Sequence, residues 1–267
     1  MSQNTKALRI RIKSVNSTMQ LTNAMGLVAS SKIRRANQSM VKGRDYAKAL
    51  ESAISALTSD RDSLKSPYMQ QRPPLRTRII VIAGDRGLAG GYNANIFRLA
   101  AQYPDAEFIA IGKRACDKYQ QPAISSEHYS FEDAAKLADK LCSDFAEEKF
   151  DRLGIIATQY HSVMSQQAYI KWLLPFQKSE PSDAAGIIFE PDHLTVLNQV
   201  AREYVAGMLM VCVKESFASE VSARRMAMDS ASKNAQQMIG NLQLQYNRAR
   251  QGAITQEITE IVAGSGN

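Results

Sequence analysis

The stretch "LRIRIKSVNSTMQLTNAMGLVASSKIRRA", residues 8–36, places an apolar or small residue at alternating steps of four and three. The same spacing continues to residue 57. A 3.5-residue period kept for about seven heptads is typical of the seam of a left-handed coiled coil. Many seam residues are small, so we expect a partner helix to approach closely. The seam positions are Leu8, Ile12, Val15, Met19, Thr22, Gly26, Ala29, Ile33, Ala36, Met40, Gly43, Ala47, Leu50, Ile54 and Leu57.

The C-terminal flank carries a second long helical pattern, beginning near Asp192. All eight prolines lie between Pro67 and Pro191, so neither flank contains the residue that most disrupts a helix. The simplest arrangement pairs the two flanks as an antiparallel coiled coil. Alternatively, each helix pairs with another subunit, or both lie flat on a globular core. The apolar positions of the second pattern are Val221, Met228, Ala231, Ala235, Met238, Leu242, Tyr246, Ala249, Ile254, Ile258 and Ile261.

Between the flanks, short apolar runs alternate with helical patterns, which predicts a parallel sheet covered by helices. The fold class expected is α/β: a long antiparallel coiled coil from residues 1–60 and 192–267, and a small Rossmann-like domain with a mostly parallel sheet over 76–190. The predicted strands are 78–84, 107–112, 152–158 and 185–190, and the predicted helices are 92–102, 113–120 and 131–149.

The net charge of +7 is concentrated at the N-terminus. Residues 1–60 hold ten Lys or Arg and three Asp or Glu, while the remainder is balanced. Such a segment is expected to meet an acidic partner, either nucleic acid or an acidic protein surface. Aromatic residues for base stacking are absent from residues 1–45, which weighs against nucleic acid. No membrane span or apolar signal core is visible, so a cytosolic chain is expected.

The loop "IAGDRGLAGGYNANI", residues 82–96, has four glycines within eight residues and invites comparison with phosphate-binding turns. It lacks the spacing of a dinucleotide turn, and it lacks the lysine and hydroxyl of a P-loop. We expect a tight strand-to-helix turn, with a nucleotide-binding enzyme using residues 84–91 as the alternative. The three histidines and three cysteines show no metal-ligand or redox spacing, so no cofactor, metal or local catalytic site is expected.

Several segments together resemble the gamma subunit of F-type ATP synthases. They are "RIKSVNSTMQLTNAMGLVASSKIRRA" (11–36), "GDRGLAGGYNANIF" (84–97), "VMSQQAYIKWLLP" (163–175), "FEPD" (189–192), and "ASE" (218–220) with "NLQLQYNRARQGAITQEITEIVAG" (241–264). Their order matches the family and they span nearly the whole chain. The resemblance implies a non-catalytic rotor shaft that couples ion flow to ATP synthesis or hydrolysis by rotation.

The resemblance also implies partners and a location. The partners are a ring of alpha and beta subunits, the epsilon subunit and the membrane ring of c subunits, with no nucleic acid. The expected location is the cytoplasmic face of the bacterial plasma membrane, where association is peripheral and through the c ring only. A basic coiled-coil nucleic-acid binder stays as an alternative beside the nucleotide-binding enzyme.

The family's contact positions transfer where the motifs match. Contacts to the surrounding ring are implied for Met25, Lys32, Arg34, Arg35, Arg224, Arg250, Gln251, Thr255 and Glu257. An apolar bearing is implied for Ile254, Ile258, Ile261 and Val262, and a foot near the c ring and epsilon for Phe189 and Glu190. Several departures from the family pattern indicate a divergent bacterial member. Among them, Arg225 replaces a usual methionine, Ala89 replaces a usual cysteine, and the tail ends "AGSGN" instead of in small apolar residues.

Overall fold

The computed structural model describes residues 3–179 and 189–264. Two long helices flank a region of short helices and strands. In chain order the elements are α1 (Gln3–Ser59), two short 3-10 helices (Asp62–Lys65 and Pro67–Met69), β1 (Thr77–Ile82), α2 (Tyr92–Ala100), β2 (Glu107–Ile111), α3 (Lys113–Tyr119), α4 (Phe131–Ala146), β3 (Arg152–Tyr160), β4 (Gln166–Leu174) and α5 (His193–Gly264).

The chain divides into two compact units, and both long helices contribute to each. The two-helix unit contains α1 up to Ser30 and α5 from Arg224 onward. The sheet unit contains residues Ser31–Ala223. The division of the chain into a shaft and a domain at residues 60, 76 and 192 remains a prediction.

In the two-helix unit, α1 and α5 pair with each other in antiparallel fashion. The hydroxyl oxygens of Thr22 and Ser232 lie 2.6 Å apart, and a Cβ atom on Gly26 would lie 3.6 Å from that of Met228. In both pairs the residue numbers add to 254, so the numbering rises along one helix as it falls along the other. The predicted intramolecular coiled coil is confirmed for this unit.

The predicted seam residues of α1 are buried or half-buried at every position from Leu8 to Leu57. On α5, Met228, Ala235 and Leu242 are buried as expected. Met238 was wrongly assigned to the seam: it is 46% exposed, and the half-buried side chain is that of Ile239. A straight helix drifts by about 20° per heptad relative to a 3.5-residue repeat, so a neighbouring residue turns inward.

In the sheet unit, the four strands lie in the order β2-β1-β3-β4. Strand β1 pairs in parallel with both β2 and β3, whereas β4 runs antiparallel to β3. Strands β1, β2 and β3 were predicted, and so were helices α2, α3 and α4. Strand β4 was missed because only its last two residues are buried, so its sequence lacks a continuous apolar run. The predicted strand 185–190 falls mostly outside the described residues.

Both faces of the sheet are covered, as a parallel sheet requires. One face packs on α4 and on parts of α1 and α5, with Leu57, Phe145 and Leu209 fully buried. The other packs on α2 and α3 through Ile96 and Cys116. Helix α5 includes an 18-residue window of mean hydropathy 1.2, of which 61% is buried within the protein, as in the core helix of many folded proteins.

Two glycines in the sheet unit differ in the space around them. Gly112 has φ of +94°, and a Cβ there would lie 1.9 Å from the carbonyl oxygen of Ala83. Gly112→Ala is therefore expected to lower the free energy of unfolding by about 3 kcal/mol or more. The measurement is urea unfolding followed by the fluorescence of Trp172, the single tryptophan.

The matched control is Gly43→Ala in helix α1. A Cβ at this position would meet Val211 at 3.7 Å, an ordinary van der Waals contact. Because alanine favours a helix over glycine, this variant is expected to match the parent or gain up to about 1 kcal/mol. Equal stability of the two variants would contradict the assigned role of Gly112.

Candidate functional site

The glycine-rich loop after β1 uses its polar groups to hold its own shape. The Gly84 amide donates to Oδ1 of Asn93, 3.0 Å away, and the Arg114 amide donates to the Gly84 carbonyl at 3.1 Å. Two residues, Leu88 and Gly90, adopt positive φ angles of 59° and 58°. The loop is a tight strand-to-helix turn, as the sequence predicted.

Asp85 is the hub of this turn. One carboxylate oxygen accepts from the amides of Lys113 and Ser126, and the other accepts from the Ser125 hydroxyl and the Glu127 amide, at 2.6–3.2 Å. Burial acts to raise the pKa of Asp85, but these hydrogen bonds outweigh it and hold the pKa below its ordinary value of 3.8. The carboxylate therefore ties the loop after β1 to two other segments.

Helix α5 crosses this end of the sheet with a buried polar strip. The Tyr92 hydroxyl donates to the Ser216 carbonyl at 3.0 Å, and the Thr158 amide donates to the Ser216 hydroxyl at 3.1 Å. A Cβ on Gly84 would lie 2.7 Å from the carboxylate end of the Glu220 side chain, so a larger residue there would force Glu220 to move. These contacts hold α2, β3 and the glycine-rich loop against α5.

A partly buried ion pair links the two long helices within the sheet unit. Arg44 of α1 donates to the carboxylate of Glu215 on α5 and to the Tyr160 carbonyl, each at 2.5 Å. The Tyr160 amide also donates to Glu215, whose side chain is 9% exposed. Sequence reasoning missed this pair. Its one signal is the charged pair Lys214–Glu215, which directly follows the apolar run "MLMVCV" (208–213).

A second ion pair missed from sequence joins Lys32 of α1 to Glu127 in the loop before α4. The other two residues of the predicted basic contact group, Arg34 and Arg35, are exposed. Lys32 therefore has a partner within this chain, and the basic group is not uniformly available to another subunit.

In the two-helix unit, the predicted contact residues occupy two regions. Met25 and Arg224 are half-buried, and the register of α1 and α5 separates them by roughly 8 Å along the helix axis. Arg250, Gln251 and Thr255 are exposed, and the Thr255 hydroxyl donates to the Gln251 carbonyl at 3.0 Å. The side chain of Glu257 lies outside the described residues.

The four predicted bearing residues share an exposed apolar face near the end of α5. Their exposed fractions run from 46% for Ile254 to 70% for Ile261, with Ile258 and Val262 between. Extending the register of the helix pair places Gln3 beside Gln251. The described part of α1 therefore ends before this face begins.

At the predicted foot, the Phe189 ring packs edge-on against His193 with 4.9 Å between ring centroids, and it borders the main core. Glu190 beside it is exposed. Among residues 3–179 and 189–264, no group of three or more His, Cys, Asp or Glu side chains could hold a metal ion.

Comparisons with known proteins agree with this architecture. A family model described as "ATP synthase" matches residues 4–266. The ATP synthase gamma chain of Geotalea daltonii is 37% identical over 278 aligned positions, which cover 97% of both chains. The gamma chain of Geobacter metallireducens is 35% identical with the same coverage.

Solved structures share the fold. A chain in the cryo-EM structure of the Euglena gracilis mitochondrial ATP synthase matches with a TM-score of 0.71 at 18% identity, covering 98% of this chain and 93% of that one. A chain in the central stalk and c-ring structure from Tetrahymena thermophila matches with a TM-score of 0.63 at 21% identity, covering 79% and 99%.

The helix pair, the small sheet and these matches define a stalk protein of the ATP synthase family. Within that family the chain belongs to the gamma chains. It is the non-catalytic central-stalk rotor subunit, which couples ion flow to ATP synthesis or hydrolysis by rotation within a membrane-associated complex. The predicted family and role are confirmed, and the nucleic-acid and nucleotide-enzyme alternatives gain no support.

The Asp85 hub generates a prediction about stability. Asp85→Asn removes the charge and one hydrogen-bond acceptor, so it is expected to lower the free energy of unfolding at pH 7 by about 1–3 kcal/mol. Because the pKa of Asp85 is lowered by folding, its contribution is present above pH 3.8 and is lost as pH falls through the folded pKa. The difference from the parent should therefore shrink in acid.

The measurement is urea unfolding by Trp172 fluorescence across a pH series. Asp105→Asn is the matched control, because Asp105 is exposed and has no hydrogen-bond or ion-pair partner among the described residues. If the loss of unfolding free energy in Asp85→Asn did not depend on pH, or if the control lost as much, the stabilising role assigned to Asp85 would be wrong.

Proposed function

We propose that the two-helix unit and the basic residues Lys32, Arg34 and Arg35 of α1 bind a surrounding ring of alpha and beta subunits, while the foot at Phe189 and Glu190 binds epsilon and the c ring. The proposed location is the cytoplasmic face of a bacterial plasma membrane, with attachment through the c ring only. The observation that carries the proposal is the exposed apolar face of Ile254, Ile258, Ile261 and Val262 on a helix end. Four neighbouring apolar side chains on an exposed helix face are best explained by a protein partner.

The polar residues before this face support the same partner. Arg250 and Gln251 are exposed and lie one turn before Ile254. These polar side chains can form hydrogen bonds with a loop of the beta subunit. The apolar face beyond them can contact a surrounding apolar surface without directional bonds, which allows rotation. Thr255 and Glu257 belong to the same proposed contact, as the sequence implied.

The basic residues of α1 suit an acidic lever segment on the beta subunits. Arg34 and Arg35 are exposed, whereas Lys32 must exchange Glu127 for a beta carboxylate if it takes part. Met25 and Arg224 would meet the same lever from the two-helix unit. For the foot, Glu190 offers an exposed charge beside the packed Phe189 ring, and both would face epsilon and the c ring.

The mechanism requires an asymmetric rotor. Around the axis of a helix pair, the exposed groups differ from side to side, so three like beta subunits meet different faces at once. Turning the pair changes which subunit meets which face, and differential contacts set the state of each catalytic site. Helices α1 and α5 each contribute to both units without a break, so they can carry the torque.

The partners can be tested by reconstitution. The purified chain is expected to hydrolyse no ATP by itself, but to co-purify with alpha and beta subunits and raise their steady-state ATP hydrolysis. The measurements are size-exclusion chromatography and a coupled ATPase assay. A chain that fails to assemble with alpha and beta subunits would refute the proposed partners.

The apolar end of α5 can be tested separately with Ile258→Asp. Because Ile258 is 56% exposed, the isolated variant should fold as the parent does, judged by circular dichroism. In the reconstituted complex, the charge would meet the apolar bearing and is expected to reduce ATP hydrolysis by about tenfold.

Leu75→Asp is the matched control, since Leu75 is 83% exposed and lies outside every proposed contact. It should leave hydrolysis unchanged. Equal activity of the Ile258 and Leu75 variants would argue against a bearing at this face.

A further inference from the structure

A groove in the sheet unit brings cationic side chains together from separate elements. It has a volume of about 500 Å³ and lies between α1, α5 and the loop before α4. Such a volume is typical of a small-molecule site. The residues that line it are Ser31, Lys32, Arg35, Ala36, Ser39, Glu127, His128, Lys214 and Phe217.

The charges in the groove are unbalanced. Lys32 is paired with Glu127, the one carboxylate in the lining. The head groups of Arg35 and Lys214 have no hydrogen-bond or ion-pair partner among the described residues. Two uncompensated cations on different helices therefore face one cavity, which is an arrangement that attracts a multiply charged anion.

Part of the lining of the groove is apolar. The half-buried Phe217 ring borders it and packs with Ala36, Met40 and Ala218 in a small cluster. A free anion would use only the cationic wall. A ligand that joins phosphates to a planar organic group would also cover the aromatic ring.

The loop that carries Glu127 and His128 is held in place. The amides of Ser126 and Glu127 donate to the Asp85 carboxylate at 2.9 and 3.2 Å, and the His128 amide donates to the Ser125 hydroxyl at 3.3 Å. The wall of the groove is therefore formed before any ligand arrives, which reduces the entropic cost of binding.

We propose that this groove binds an organic polyphosphate, of the class of nucleoside diphosphates, as a non-catalytic ligand of the rotor. The phosphates would lie between Arg35, Lys214 and Lys32, and the organic group would lie against Phe217. This groove is separate from the glycine-rich turn at residues 84–91, whose polar groups are used within the fold. The inference concerns the isolated chain, in which no beta subunit competes for Lys32 and Arg35.

The test is isothermal titration calorimetry on the purified full-length chain with pyrophosphate and, separately, with ADP. Both are expected to bind saturably at one site, with ADP the tighter if Phe217 takes part. Lys214→Gln and Arg35→Gln should each weaken the affinity by about tenfold, since each removes a charge-assisted contact to phosphate.

A variant that binds the ligand more tightly distinguishes a specific effect on the groove from general damage to the fold. Glu127→Gln removes the one negative charge of the lining and releases Lys32, so affinity should rise by about threefold or more. Lys42→Gln is the matched control, because Lys42 is an exposed cation of α1 outside the groove. Its affinity should equal that of the parent.

Three outcomes would overturn the proposal. The first is that neither pyrophosphate nor ADP gives a saturable binding curve. The second is that Lys42→Gln and Lys214→Gln lose the same affinity. The third is that Glu127→Gln binds more weakly than the parent. Equal affinities for pyrophosphate and ADP would keep the phosphate site and overturn the assignment of the organic group to Phe217.

Discussion

The close antiparallel approach of α1 and α5 is the constraint on which the rest of this structure depends. Small residues at the contact permit it: a Cβ on Gly207 would lie 2.4 Å from Leu50, and Gly26 sits opposite Met228. Dispersion and apolar burial stabilise the pair only when the backbones come this near. In the sheet unit, the same two helices then supply much of one face of the core.

Polar contacts fix the position of α5 relative to the strands of the sheet. Apolar burial would tolerate a slide of α5 along the sheet, but the buried Glu215 and Ser216 accept hydrogen bonds from Tyr160, Thr158 and Arg44 at fixed positions. Leaving any of these groups unpaired in the interior would cost about 1–3 kcal/mol. The strand ends are therefore held in one register against α5, which suits a subunit that must transmit torque.

The surface of the chain complements this rigid interior. Each unit has its own distinct exposed groups: an apolar face at the end of α5 in the two-helix unit, and exposed arginines and a cationic groove in the sheet unit. A rotor acts through such differences, because identical neighbours respond differently only when they meet different faces. The glycine-rich turn contributes to the scaffold through Asp85, which ties it to the start of α3 and to the loop at residues 125–127.

The sequence by itself determined the two long helices, their seam and three of the four strands. These features are periodic, and period depends only on local geometry, as the buried and half-buried seam positions from Ala29 to Leu57 illustrate. The family followed from motifs in order along the chain. The tertiary structure alone decided which charges meet. Arg44 and Glu215 lie 171 positions apart, and Lys32 and Glu127 lie 95 apart. It also placed β4 at the sheet edge, because strand pairing depends on neighbours distant in sequence. Ile239 turns inward in place of Met238 because the partner helix determines which face of α5 is covered.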